Sequence, residues 1–371
     1  MDFLTETEAM DIVGEYMAHE RPATSTQEIL DSGAVPRLKG YTVRPGKVSD
    51  TIFGGEGHYT RKSGEGVNFE NTPLDMRDSR PAIAMVRTAR ISTHDINRGS
   101  VPFKDQILAE NHNAMRRMLV PFIGTSQLDV PGLGDNSVVI AAERLEQLGF
   151  ENVLRAYMAK SSTSTSLFQH YTRGERVFCG HKLPEGLITN GPLPYIMDTP
   201  STKSEEHDES LSPKEMFNRG ICTPEEFFPA RNGAIAAFGA ISFYLGQKGI
   251  IAVDTKTEHG INRAGQIVAQ DEIWTMDSSR FWRADDYNSQ MQKLQRGEIG
   301  ELNPVSYSKE FARGFSEGEK GYTNDQRAQI AVRYIMGIQN LLGKRFVPDM
   351  RSRDERVISG LQKVVSEIVA A

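Results

Sequence analysis

Ile250-Ile251-Ala252-Val253-Asp254-Thr255-Lys256-Thr257-Glu258 begins as an apolar run and ends with Asp, Lys and Glu at alternate positions. Side chains in a strand alternate faces, so Asp254, Lys256 and Glu258 are expected on one face. Gly260-Ile261-Asn262-Arg263-Ala264-Gly265 is turn chemistry, and Gln266 to Trp274 reads as a returning strand that carries Asp271-Glu272. Pairing the strands symmetrically about Ala264 and Gly265 sets Glu258 opposite Asp271. Like charges facing each other in an antiparallel pair are destabilising unless something positive sits between them. Two carboxylates with a lysine suit Mg²⁺ and phosphate oxygens, because Mg²⁺ is commonly held by one or two carboxylates plus substrate phosphates. A surface hairpin with solvated charges has the same spacing. The hairpin alone leaves both readings open.

The chain has 371 residues, enough for two domains or one large one with a substantial core. Lys and Arg number 43 against 49 Asp and Glu, a net charge of −6. That balance argues against a general binder of nucleic acid or anionic membrane, which needs a basic surface. Cys179 and Cys222 are the two cysteines and show no Cys-x-x-Cys spacing, so structural zinc is disfavoured and a reducing cytoplasm is expected. The start, Met1-Asp2-Phe3-Leu4-Thr5-Glu6, lacks the basic and apolar regions of a signal peptide, and no apolar run approaches a bilayer span.

Four segments follow from the pattern. Residues 1–40 form an N-terminal extension with an amphipathic helix at Thr5 to Met17. Residues 41–134 form an α+β lobe, with strands at Tyr41 to Val48, Thr51 to Phe53 and Ala82 to Thr88 and a helical pattern within Val101 to Ile123. The turn-rich Gly132 to Asn136 sets the lobe boundary. Residues 135–320 form a second α+β lobe with strands at Ser137 to Glu143 and Glu151 to Met158 and a helix over Ala230 to Gly246. Residues 321–371 hold two terminal helices, near Asn324 to Leu342 and Ser352 to Val369.

Four other stretches carry candidate chemistry. Gly46-Lys47-Val48, with Gly54, Gly55 and Gly57 soon after, could cradle phosphates with a lysine and exposed amides, although a plain hairpin has the same signature. Arg155 offers a planar fork for phosphate oxygens, and Ser161 to Thr165 supply hydroxyls beside it. Thr199-Pro200-Ser201-Thr202-Lys203 leads into His207-Asp208-Glu209, which lacks the histidine spacing of a zinc site. Met276-Asp277-Ser278-Ser279-Arg280-Phe281-Trp282 adds hydroxyls, an arginine and an aromatic wall next to the acidic strand.

Taken in order, these motifs, with Arg90-Ile91-Ser92 and Lys182-Leu183-Pro184-Glu185-Gly186, resemble the phosphoribosylaminoimidazole-succinocarboxamide synthase (SAICAR synthetase) family. The resemblance covers roughly Tyr41 to Phe315. It implies an α+β, two-lobed fold related to the ATP-grasp and kinase-like nucleotide binders, with antiparallel sheets and C-terminal helices. It also implies an ATP-dependent ligase of purine biosynthesis that joins carboxyaminoimidazole ribonucleotide (CAIR) to L-aspartate through an acyl phosphate, in a monomer or homodimer. A divergent ligase acting on a related carboxylated nucleotide or another amine is the alternative.

The resemblance also implies roles. Lys47 and Lys203 contact the ATP phosphates, and Glu258 and Asp271 hold Mg²⁺–ATP. Asp254, Lys256 and Lys203 meet the reacting groups. Arg155, Ser161, Ser279 and Arg280 bind the ribotide, and Ser92, Asp95 and Arg313 reach the substrates. Four features depart from the family. Ser49 stands where a second basic residue is usual, Ala89 replaces an acid, Lys160 replaces a glycine, and the stretch from Gly54 to Asp78 is longer than the family's hairpin. Arg44, Arg61 or Lys62 could supply the missing basic contact.

Overall fold

Thr5 N–H donates to the Glu8 carboxylate (2.7 Å) while the Thr5 hydroxyl accepts from Glu8 N, a reciprocal cap that starts α1 (Glu6–Ala18). Ser25 and Glu28 repeat the device at α2 (Thr26–Asp31). The computed structural model describes residues 2–20, 22–53, 82–94, 96–203 and 208–367. The stretch 54–78 with Arg61 and Lys62, and also Asp95 and His207, lie outside the described residues.

After a short 3₁₀ turn at Pro36–Leu38 come β1 (Thr42–Pro45), β2 (Ser49–Phe53), β3 (Ala82–Arg87), β4 (Arg90–Thr93), β5 (Ile96–Ser100), α3 (Lys104–Leu119), β6 (Gln127–Leu128) and β7 (Val139–Glu143). Strands β1-β2-β3-β7-β6 form a five-stranded antiparallel sheet, and β4 and β5 form a separate hairpin.

The second part begins with β8 (Glu146–Tyr157), α4 (Leu167–Thr172), the small pair β9 (Val177–Phe178) and β10 (His181–Lys182), β11 (Pro192–Asp198) and β12 (Ser201–Thr202). Helices α5 (Pro213–Asn218) and α6 (Pro224–Gly246) lead into β13 (Ile250–Ile261), β14 (Ile267–Gln270) and β15 (Ser279–Arg283). Helices α7 (Ala284–Gln295), α8 (Glu310–Arg313), α9 (Asn324–Leu342) and α10 (Arg353–Glu367) complete the chain. In the second, six-stranded sheet β13 is central: β8 lies on one side, and β14 and β15 share the other.

The expectation of α+β architecture with two antiparallel sheets and late helices holds. The expected lobe boundary at 134/135 does not match the sheets. Strand β7 pairs with β3 along Val86↔Val139 to Ala82↔Glu143, so the chain changes sheet at Arg144 and Leu145. Turn residues at 132–136 mark only the approach to a further strand of the same sheet.

The terminal segments close the two sheets separately. Val357, Leu361 and Val364 of α10 pack against Ile52, Ala84, Val86 and Val139 beneath the first sheet. Burying side chains of that size stabilises the fold by about 1.5–3 kcal/mol each. The approach is close enough that a Cβ on Gly360 would meet Val139 Cγ2 at 2.7 Å. Helix α9 instead joins α3, α6 and the second sheet in a core that contains Ile107, Phe238, Trp274, Phe281 and Ile335. Residues 1–40 belong to the same construction. Leu4, Ala9 and Val13 enter the α9 core, and the backbone of Leu4 bonds to the Gln339 side chain in both directions (2.8 and 3.1 Å).

Candidate active site

Strand β13 runs through the middle of the second sheet and presents Asp254, Lys256 and Glu258 on one face, as alternation requires. Across the β8 ladder these face Arg155, Val153 and Glu151 respectively, and Arg280 of β15 faces Asp254 from the other side. The returning strand differs from expectation by one place. Glu258 pairs with Gln270, not with Asp271. The loop spans residues 262–266 and centres on Ala264, because the Asn262 carboxamide accepts from Ala264 N (3.1 Å) and Gln266 N (2.8 Å) and closes an odd-numbered turn. Asp271 therefore lies just past the strand, in the left-handed region at φ 57°. The carboxylates remain neighbours. Burial, and then the charge of Asp271, pushes the Glu258 carboxyl up to about 7.

Glu151 is the residue that sequence reasoning missed. Its buried carboxylate faces Glu258 and accepts from Lys256 Nζ (2.6 Å) and Lys203 Nζ (2.8 Å); Lys203 also bonds Glu258. Burial alone would raise the Glu151 carboxyl, but the Lys256 and Lys203 ammonium groups outweigh it and hold the carboxyl below its usual range. Burial would likewise lower both lysines. Glu258 and Glu151 reverse the effect at Lys203, and Glu151 and Glu258 at Lys256, so both lie above the ordinary lysine value. Gln147 Nε2 donates to the remaining Glu258 oxygen (3.1 Å). The signal for Glu151 was present in the period of two that relates it to Arg155, the residue the sequence reading did single out.

After burial, the charge of Asp271 is what raises the Glu258 carboxyl, and that mutual repulsion fits a divalent cation between the two. No group of three or more His, Cys, Asp or Glu that could hold a metal occurs among the described residues. A metal on this pair would complete its shell with oxygens of water or phosphate, as Mg²⁺ commonly does.

One register step along, Asp254 is the hub of a guanidinium pair. Arg280 Nε lies 3.0 Å from both of its oxygens, and Arg155 Nη1 donates at 3.4 Å. Burial would raise the Asp254 carboxyl, but the charge and hydrogen bonds of Arg280, and then Arg155, hold it below the usual carboxylate range. Arg155 Nε also donates to Thr199 Oγ1 (2.9 Å), and Arg280 Nη1 to the Lys160 carbonyl (2.9 Å). The second contact ties the pair to the hydroxyl-rich loop, where Ser161 Oγ accepts from Thr163 N (3.2 Å). His94, in the β4–β5 turn, lies 3.3 Å from Ser162 Oγ, which brings the hairpin that carries Ser92 to the same loop. Lys160 turns its ammonium to Glu301 (3.0 Å) at the exposed edge. Arg313 donates to Glu310 (2.6 Å), and the charge of Glu310 in turn acts on Arg280.

One expected residue stands apart. Ser279 faces Thr255, and its hydroxyl is 2.8 Å from Thr255 Oγ1, on the buried side of β13 away from Asp254. The Asp277-to-Trp282 motif alternates, so Arg280 reaches the site because Ser279 does not. Lys47 stands exposed in the turn between β1 and β2, on the other sheet from the Lys203–Glu258 cluster. Ser49, noted as a departure, accepts from the buried Arg87 (3.2 Å).

A family model for SAICAR synthetase matches residues 75–328. The chloroplastic phosphoribosylaminoimidazole-succinocarboxamide synthase of Arabidopsis thaliana is 32% identical over 308 residues, 79% of this chain and 71% of its own length. The Legionella pneumophila (strain Paris) enzyme is 31% identical over 80% of this chain and 95% of its own. The SAICAR synthase of Saccharomyces cerevisiae, solved with SAICAR, superposes with a TM-score of 0.63 at 21% identity, covering 88% of this chain and 99% of that one. A type-2 SAICAR synthetase solved with ADP gives 0.55 at 19% identity over 83% of this chain and all of that one (100%). Fold and likeness together define a ligase of purine biosynthesis. The chain belongs to the SAICAR synthetase family, and its activity is phosphoribosylaminoimidazole-succinocarboxamide synthesis.

Proposed function

We propose that this face of the second sheet joins the CAIR carboxylate to the amine of L-aspartate, with ATP converted to ADP and phosphate. The observation that carries the residue assignment is the adjacency, on one strand, of a Lys203–Glu151–Lys256–Glu258 cluster and an Arg155–Asp254–Arg280 cluster. The first suits a polyphosphate and the second a ribotide phosphate.

A carboxylate is a poor electrophile. A CAIR oxygen attacks the γ-phosphorus of ATP, the bond to ADP breaks, and an acyl phosphate forms. The aspartate amine then attacks the acyl carbon, phosphate leaves with its bonding pair, and the amine proton departs with it. Lys203 and Lys256, held charged by Glu151 and Glu258, donate hydrogen bonds to the transferring phosphoryl oxygens. Lys47 adds a contact to the nucleotide from the first sheet. Arg155, Arg280 and Ser161 hold the ribotide phosphate, and Ser92 and Arg313 contact the substrates. Asp254, kept ionised by its two arginines, orients them and is not a proton acceptor. Glu258 and Asp271 would hold Mg²⁺, which when bound would neutralise charge on the nucleotide phosphates.

No helix among the described residues is long and apolar enough to cross a membrane. The cytoplasm is the compartment we assign, on the free, buried Cys179 and Cys222, whereas the Arabidopsis relative is chloroplastic. The test is ADP release from Mg-ATP and CAIR with and without L-aspartate. Aspartate-dependent release is the expected result. Release that instead follows another amine or another carboxylated ribotide would replace the substrates and keep the ligase chemistry.

A further inference from the structure

We propose that Arg87 is a positioning residue for the nucleotide–metal site, holding Asp271 from behind so that its carboxylate faces the cleft. Arg87 ends β3, in the first sheet, and its side chain is fully buried. Its guanidinium spans three groups from three elements. Nη1 donates to Ser49 Oγ (3.2 Å), its register partner on β2; Nη2 lies 3.1 Å from His112 Nδ1 on α3; and Nη2 donates to the Asp271 carbonyl (3.1 Å). Nη1 also stands 3.8 Å from the Asp271 carboxylate, which is itself 36% exposed.

The far side of the guanidinium is fixed as well. His112 Nδ1 accepts from Ile273 N (3.2 Å), so the ring proton lies on Nε2 and is given to Gln127 Oε1 (2.7 Å). His112 therefore acts as an acceptor toward Arg87 and not as a second cation.

Asp271 needs such a hold. It has left the β14 ladder and adopts φ 57°, a region that costs a non-glycine residue free energy unless its surroundings over-determine it. The bond from Arg87 to the Asp271 carbonyl fixes that backbone while leaving the carboxylate free for a ligand. Outer partners of this kind set the orientation and charge of a metal-binding carboxylate. Arg87 also carries one of the contacts between the sheets, so the first sheet acts on the geometry of a carboxylate belonging to the second. Only a planar fork reaches all three partners; a lysine cannot.

The inference rests on the Glu258–Asp271 metal reading, and its test separates the two. Calorimetry on the full-length chain would compare Mg-ADP with ADP in EDTA for wild type, Arg87→Met, Arg87→Lys and Glu258→Gln. Arg87→Met is expected to weaken Mg-ADP about 10–100-fold and metal-free ADP by less than about threefold, with Arg87→Lys intermediate. A general structural defect would weaken both nucleotides alike, and that result overturns the proposal. So does Mg-ADP affinity within about twofold of wild type in Arg87→Lys, which carries the test if Arg87→Met does not fold. If Glu258→Gln leaves Mg-ADP binding unchanged, the metal reading fails and takes this proposal with it; failure of the Arg87 variants alone leaves that reading standing.

Discussion

Glu151 and Glu258 stand directly opposite one another on β8 and β13, and the fold keeps both because Lys203 bonds to each and Lys256 to the first. Their environments then drive them apart. Glu151 is held ionised below its usual range by its two lysines, whereas Glu258, pushed up by burial and then by the charge of Asp271, rises to about 7. One carboxylate serves the lysines, and the other is left for a cation.

Removing the first carboxylate tests that division. Glu151→Gln keeps the shape but leaves both ammonium groups without their shared anchor. Turnover is expected to fall on the order of 10–100-fold, with the Michaelis constant for ATP moving less. Unchanged steady-state kinetics would mean that Lys203 and Lys256 find their positions without Glu151.

Asp254→Ala strips the counter-charge from two largely buried guanidinium groups. Breaking such a cluster by removing one partner costs about 3–5 kcal/mol, and urea unfolding should register the loss. A loss under about 1 kcal/mol would show that water already screens Arg155 and Arg280.

Ser279→Ala separates the two faces of the motif. Its hydroxyl bonds Thr255 on the buried side, so the variant should lose about 0.5–1.5 kcal/mol of stability and keep its kinetic constants for the ribotide. A raised Michaelis constant for CAIR with unchanged stability would place the hydroxyl in the pocket instead.

Acid should destabilise the sheet through His259. Burial pushes its imidazole from 6.5 down to about 3. Between those values the unfolded chain takes up a proton that the native state refuses, so stability is complete above about pH 6.5 and falls as the pH drops. The slope from this one group approaches about 1.4 kcal/mol per pH unit. Denaturant melts of wild type and His259→Gln at pH 7, 6 and 5 should converge as pH falls, with a residual slope from His112, which burial and Arg87 also hold well below its ordinary value. Parallel pH profiles would show that His259 takes up its proton in the fold as readily as in the unfolded chain.

Legibility in the sequence follows the range of the interaction. Helix α9 begins and ends at Asn324 and Leu342 as its pattern implies, because a Thr323–Gln326 cap and a left-handed Gly343 are local signals. The family motifs led to Lys203, Asp254, Lys256, Glu258, Asp271, Arg155 and Arg280, and the structure gathers them around one face of one sheet. The expected boundary at 134/135 precedes the change of sheet at Arg144 and Leu145, because nothing local tells a turn within a sheet from a turn between sheets.

The sequence by itself determined which side chains of β13 share a face, since alternation is a property of the backbone of one strand. It also determined the reaction class, through motifs whose order is written along the chain. Tertiary structure alone decided the placing of Glu151 between two lysines and the reach of Arg87 across to Asp271. Both depend on groups distant in the chain that meet only once the sheets are packed. There, burial makes every unpaired charge costly, so the position of each partner is specified.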